Sequence, residues 1–215
     1  MLNDLLELNI WKKKGYEETS TSKLYAKQHF REDSRWIIKI YKPVDKKRLI
    51  ESISKIEKFY NLTFSDELKM FYQEYNGVNM FVGSLQIYGF KYSDTDETEV
   101  LQNYKPEFIE MSASDSLAFD IPTNWLNIGI VKIDYDKSAH IYYDGNNNNF
   151  CIVSLDSTRL IIKRKVISKG TYKLVKEFNS LSDLLLYSYN QLLKKYYCIN
   201  NFEENYKQIY VNYGG

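Results

Sequence analysis

The sequence predicts an α+β domain, and three observations carry that prediction. Two amphipathic helices follow one another between Asp45 and Tyr75, β-rich segments run from Trp125 to Phe178, and a last helical stripe begins after Asn179-Ser180. In the second helix Leu68, Phe71, Tyr72 and Tyr75 stand at i, i+3, i+4 and i+7, which sets all four on one face. Leu49, Ile53, Ile56 and Tyr60 form such a face in the first helix. Leu181, Leu184, Leu185, Tyr189 and Leu192 form it in the last.

Taken from the start, Leu2, Leu5, Leu6 and Ile10 lie near helical spacing, with Lys12 to Lys14 at the expected helix end and Gly15 beyond it. Those lysines read as a solvated helix C-terminus and not as a nucleic-acid contact. Residues 16–34 are polar and mixed, with a short helix expected around Lys23 to Phe30. Trp36 to Tyr41 is rich in β-formers and predicts a strand that Pro43 ends. Ser65 is placed to cap the second helix, and Asp66 and Glu67 set negative charge against its positive end. Asn76-Gly77 is expected to stop that helix, the glycine taking the left-handed conformation of the C′ position. Leu85 to Tyr88 then alternates as a strand does.

Further strands are predicted at Trp125 to Ile133, Ala139 to Tyr143 and Phe150 to Val153, with Asp144-Gly145 and the Asn146–Asn149 run as a loop. Thr158 to Ile167 and Thr171 to Phe178 are expected to pair through a turn at Lys169-Gly170. Residues 199–215, rich in Asn and Tyr, are expected to fray. The chain therefore divides into an extension with helix and strand (1–45), a main domain (46–198) carrying an acidic insertion (91–120), and a C-terminal tail (199–215).

Length and composition bound the function. A chain of 215 residues can bury roughly 70% of its unfolded surface in one core without staples. Hydrophobic residues make up 44% and charged residues 27%, the balance of a soluble globular protein. Twenty tyrosines can fill a core and still hold a polar end at the surface. The two cysteines, Cys151 in a strand-like run and Cys198 at a helix end, read as buried thiols of a reducing compartment. No apolar stretch approaches the ~20 residues that cross a bilayer, and the first residues lack the basic start of a secretory signal. A cytoplasmic location is expected.

The net charge of +1 hides an uneven distribution. Residues 1–50 hold 12 Lys/Arg against 7 Asp/Glu, residues 51–120 hold 5 against 13, and residues 121–215 hold 12 against 8. The acidic balance is concentrated between Lys91 and Asp120, where Asp94, Asp96, Glu97, Glu99, Glu107 and Glu110 alternate with Phe108, Ile109 and Met111. A connection of this length inside a domain is usually functional or disordered, so the working surface is expected there.

Motifs for chemistry are missing from the sequence. His29 and His140 are too far apart for a local zinc spacing and have no paired cysteines beside them. Gly77, Gly83 and Gly89 are spaced too widely for a phosphate loop, and no G-x-S-x-G elbow occurs. His140 near Asp134, Asp136 and Asp144 reads as a half-exposed histidine among solvated carboxylates. Lys163 to Lys165 and Lys194-Lys195 are too small for a nucleic-acid face. Trp125 reads as a packing anchor. The expectation is a binding protein with no catalytic residue, no metal and no cofactor, and with neither nucleic acid nor membrane as partner.

Three stretches carry a family resemblance: Ile53-x-x-Ile56-Glu57, then Leu62-Thr63-Phe64-Ser65-Asp66-Glu67-Leu68-x-x-Phe71-Tyr72-x-x-Tyr75-Asn76-Gly77, then Ile87-Tyr88-Gly89. Together with Trp125 to Gly129, Ile141 to Asp144 and the segment Asn179 to Leu193, they resemble the SUKH superfamily over roughly residues 46–195. Phe64 and Val78 stand where the family usually has a proline and a second glycine. The resemblance implies a twisted, mainly antiparallel sheet with helices packed on one side. It also implies a bacterial immunity protein that binds and neutralises a toxin, many such toxins being nucleases with basic clefts. On that reading Asp94, Asp96, Glu97, Glu99, Glu107, Phe108 and Glu110 meet the partner, and Phe108, Ile109 or Phe119 supplies buried anchors. The alternative is an intracellular regulatory scaffold of the fungal Smi/Knr type. A third reading is a hydrolase or nucleotide-modifying enzyme with an unrecognised carboxylate site, for which a metal or nucleotide bound beside Asp134, Asp136 and His140 would be the sign.

Overall fold

The structure is a computed structural model and describes residues 16–18, 22–25, 38–81, 83–90, 119–134, 137–162 and 165–197. In chain order the elements are β1 (Tyr16–Glu18), β2 (Ser22–Tyr25), β3 (Ile38–Tyr41), α1 (Lys46–Tyr60), α2 (Asp66–Glu74), β4 (Val78–Met80), β5 (Leu85–Ile87), β6 (Trp125–Asp134), β7 (Lys137–Asp144), β8 (Asn149–Ile162), β9 (Lys165–Phe178) and α3 (Leu181–Tyr197). The strands form one sheet in the order of the chain, each antiparallel to the next. The expected α+β architecture is present.

Side-chain alternation decides which face of the sheet the helices cover. On β7, Ala139, Ile141 and Tyr143 join the main core, whereas Tyr142 joins a second cluster on the other face. On β8 the same split separates Phe150 and Ile152 from Cys151 and Val153. The stripes of all three helices, Leu49 to Tyr60, Leu68 to Tyr72 and Leu181 to Leu192, enter the main core, so the helices lie on one side of the sheet. Each of these side chains, taken from water, contributes about 1.5–3 kcal/mol against the entropy of ordering the chain.

Polar side chains fix how the helices meet the sheet. Asp45 caps α1 by accepting from Arg48 N–H (3.1 Å), and Ser65 caps α2 by accepting from Leu68 N–H (3.2 Å). The Tyr143 hydroxyl reaches across from β7, accepting from Ser65 N–H (2.8 Å) and donating to the Thr63 carbonyl (2.6 Å). Burial pushes the pKa of this phenol above its ordinary value, and the Ser65 N–H partly offsets the rise. Glu67 does more than face its own helix dipole. Its carboxylate accepts from the N–H groups of Leu181 (2.8 Å) and Ser182 (3.1 Å) and from the Ser182 hydroxyl (2.9 Å), so it caps α3 from a neighbouring helix.

The Asn76-Gly77 pair works differently from the expected helix stop. α2 ends at Tyr75, whose backbone is extended (φ −140°, ψ 138°), so Gly77 is not its left-handed C′ residue. The Asn76 amide instead grips the backbone of Phe90, donating to its carbonyl (2.8 Å) and accepting from its N–H (2.7 Å). Gly77 has φ +93°, and a Cβ there would stand 2.7 Å from the Ile87 carbonyl oxygen. Gly89 is as crowded, since its Cβ would lie within 2.0 Å of the Asn76 carbonyl oxygen. Tyr72 completes the arrangement by donating to the Tyr88 carbonyl at 3.0 Å. The pair therefore locks α2 onto the exit of β5.

Two further expectations are corrected. Ser22–Tyr25, inside the segment expected to begin a short helix, is a strand paired with both β1 and β3. Cross-strand pairing overrides weak local propensity here. Lys169-Gly170 is no turn, because Gly170 lies opposite Ser157 and Lys169 opposite Thr158 in mid-ladder. The last pair of that ladder is instead Ile162 with Lys165. Val78–Met80, which sequence patterning leaves in a link, is a strand between β3 and β5. The predicted helix in residues 1–14, the tail 199–215, His29 and Cys198 lie outside the described residues.

Three outcomes are expected. Asn76→Ala removes both hydrogen bonds to the buried Phe90 backbone and should cost about 2–4 kcal/mol in urea unfolding. Glu67→Ala should cost about 1–2 kcal/mol, since the Ser180 hydroxyl still receives Asp183 N–H at 3.0 Å. Burial first, and then the carboxylates of Glu177 and Asp144, push the Cys151 thiol up to about 12. In a Cys198→Ser background at pH 8, Cys151 should therefore resist a disulfide reagent until urea unfolds the chain.

Candidate functional site

Asp94, Asp96, Glu97, Glu99, Glu107, Phe108 and Glu110, the seven residues expected to meet a partner, lie outside the described residues, as does Ile109. The described residues do give both ends of the segment that carries them. Phe90, the last described residue before it, is held by Asn76 and packed edge-on against the Tyr72 ring at 4.9 Å. The segment returns at Phe119, Asp120 and Ile121. Asp120 adopts φ +58°, a conformation that a short polar side chain tolerates, and this positive φ shapes the re-entry.

That re-entry occurs on the face of the sheet opposite the helices. Ile121 is buried with Tyr142, Cys151 and Val153, and Phe119, Trp125, Leu155 and Tyr172 pack around them half-buried. The Trp125 ring meets Tyr172 edge-on at 5.8 Å and lies 6.2 Å from Tyr142. Trp125 is thus a packing anchor, as expected. Phe119, expected among the partner-facing anchors, instead packs against its own sheet. Nearby on β9, Leu174 is 44% exposed.

Sequence reasoning missed this second cluster, although a signal was there. Ile141-Tyr142-Tyr143 and Phe150-Cys151-Ile152-Val153 are apolar at every position and do not alternate. Such runs mark strands that are covered on both faces.

His140 lies beside this cluster, its ring 6.3 Å from Tyr142. The buried Asn127 faces its ring. Asn127 Oδ1 accepts from Gly129 N–H (3.2 Å), which turns Nδ2 toward His140 Nδ1 at 2.9 Å. In this arrangement the Asn127 amide N–H is presented to His140 Nδ1 as a donor. Of the carboxylates near it in sequence, Asp136 and the Asp134 side chain lie outside the described residues. Asp144 is occupied in a loop, accepting from the Asn124 amide (3.0 Å), Asn146 N–H (2.9 Å) and the Asn147 amide (2.8 Å). Among the described residues no three His, Cys, Asp or Glu side chains gather as a metal ion would require. No helix among them is long and apolar enough to cross a membrane.

The residues of the sequence motifs are thus brought together, but as structure. Glu67, Tyr72, Asn76, Gly77 and Gly89 join the two early helices to β5 and α3, and Tyr143 joins them to β7. No curated protein and no solved structure matches the chain significantly. The model of the SMI1/KNR4 family (SUKH-1) matches residues 50–187, from within α1 to within α3. The matched span covers well over half of the sequence and takes in each of these joints, and the chain belongs to the SMI1/KNR4 family (SUKH-1).

Proposed function

We propose that this protein is a cytoplasmic immunity factor that binds a toxin protein and silences it by direct contact, transforming nothing itself. The observation that carries this reading is membership of a family whose members generally bind other proteins, toxins among them. The partner-facing surface of the proposal is the acidic segment, with Asp94, Asp96, Glu97, Glu99, Glu107, Phe108 and Glu110 as its contacts. Its support is electrostatic and topological. Between Lys91 and Asp120 the acids far outnumber the lysines, and both ends of the segment are fixed to the core, one by Asn76 and one on the open sheet face. A tethered acidic surface of this kind speeds encounter with a basic cleft, such as that of a nuclease, and masks it once bound.

The test begins with capture of the partner from the source cell and identification of the bound chain by mass. A toxin encoded next to this protein supports the reading, whereas several unrelated cellular proteins would support a regulatory scaffold. With the toxin in hand, neutralising Asp94, Asp96, Glu97 and Glu99 together to Asn or Gln should slow association roughly tenfold at low salt and flatten its salt dependence. Unchanged association kinetics would remove this segment from the interface.

A further inference from the structure

The sheet ends unequally. At one side stands β1, three residues long, and at the other β9, which runs 14 residues from Lys165 to Phe178. β9 pairs with β8 from end to end, and among the described residues no strand pairs with its outer edge. A strand of this length spans about 45 Å and directs alternate backbone N–H and C=O groups outward, a template for one more strand. Folded proteins commonly keep such edges short or covered. This one is guarded by charge.

Along β9 lie Lys165, Lys169, Lys173 and Lys176 against the single acid Glu177. Lys165, Lys169 and Lys173 stand four residues apart, positions of one parity and therefore of one face. The Lys176 ammonium sits 4.1 Å over the Tyr187 ring of α3. Between these two lysines the ladder is interrupted: Lys176 pairs with Ile152 and Leu174 with Val153, which leaves Val175 bulged. Leu174 and Val175 are 44% and 41% exposed. Two copies of this edge brought together would oppose lysines to lysines, which disfavours self-pairing. An acidic strand meets no such barrier.

We propose that the outer edge of β9 receives an extended acidic segment of a partner protein, paired as a tenth strand. Its backbone would complete the ladder, its carboxylates would stand against the lysine positions, and its apolar residues would cover Leu174 and Val175. Midway along α3, Tyr187 packs against Phe178 of β9 with rings 5.3 Å apart, while Tyr189 on the helix's other flank reaches Met80 and Phe81. The proposal rests on reading the chain as a protein-binding module and adds a basic contact to the acidic one.

The experiment titrates the isotope-labelled full chain with a blocked peptide alternating glutamate and valine, and with its lysine–valine counterpart, by NMR. Support would be shifts and slowed hydrogen exchange confined to β9 and its neighbours with the acidic peptide alone. The exposed substitution Lys173→Glu should weaken that binding roughly tenfold at low salt and improve the response to the basic peptide. Equal response to both peptides, shifts elsewhere on the fold, or indifference to Lys173→Glu would overturn it, as would strand pairing between copies of the chain. A tail shortened after Tyr197 should bind the acidic peptide no better than the full chain; tighter binding would mean that the tail is the native occupant. If toxin binding persists while β9 stays silent, the edge proposal alone falls. If β9 binds the peptide but no toxin is found, the immunity reading alone falls.

Discussion

One side-chain amide holds the architecture in register. Asn76 both donates to and accepts from the backbone of Phe90, and so does for the end of β5 what a neighbouring strand would otherwise do. Both partners are buried, so neither hydrogen bond has water as an alternative. Gly77 and Gly89 follow from this contact, since the two backbones approach too closely for any side chain between them. The same contact also fixes Phe90, the last described residue before the acidic stretch.

The second constraint is long-range. Glu67, in the first turn of α2, closes the N-terminus of α3, and Tyr143 ties the start of α2 to β7. These bonds place polar groups at the corners of an otherwise apolar layer, so each helix has one seat on the sheet. The residues most typical of the family pattern are thereby used up in holding the fold. The two stretches of this chain with the most one-sided charge are residues 91–120, which are acidic, and β9, which carries four lysines against one acid.

Local periodicity made the helices legible. The stripes through Leu49, Leu68 and Leu181 are buried as their spacing requires, and Ser65 caps where its position says it must. The reading failed where a residue's meaning comes from a distant partner. Glu67 looks like a helix-dipole residue, yet its oxygens serve a helix 114 residues away. Gly170 looks like a turn, yet it sits buried inside a strand whose partner extends to Ile162. Val78–Met80 is too short for alternation to show, and only β3 and β5 make it a strand. Of the candidate site, sequence conveys the charge of residues 91–120. The face to which the segment is anchored emerges only from the packing of Ile121 beneath Tyr142 and Val153.

The order of the strands has a consequence for synthesis. Because each pairs with its predecessor, the sheet can extend strand by strand as the polypeptide leaves the ribosome, the longest connections to close being those from β3 to β4 and from β5 to β6. The last helix is the exception: Leu184, Leu185 and Tyr189 cover apolar surface that has been waiting since Met80 emerged. Until α3 appears, the part of that side left open by α1 and α2 stands uncovered, so loss of α3 should make the chain far more aggregation-prone than the helix's small share of the sequence suggests.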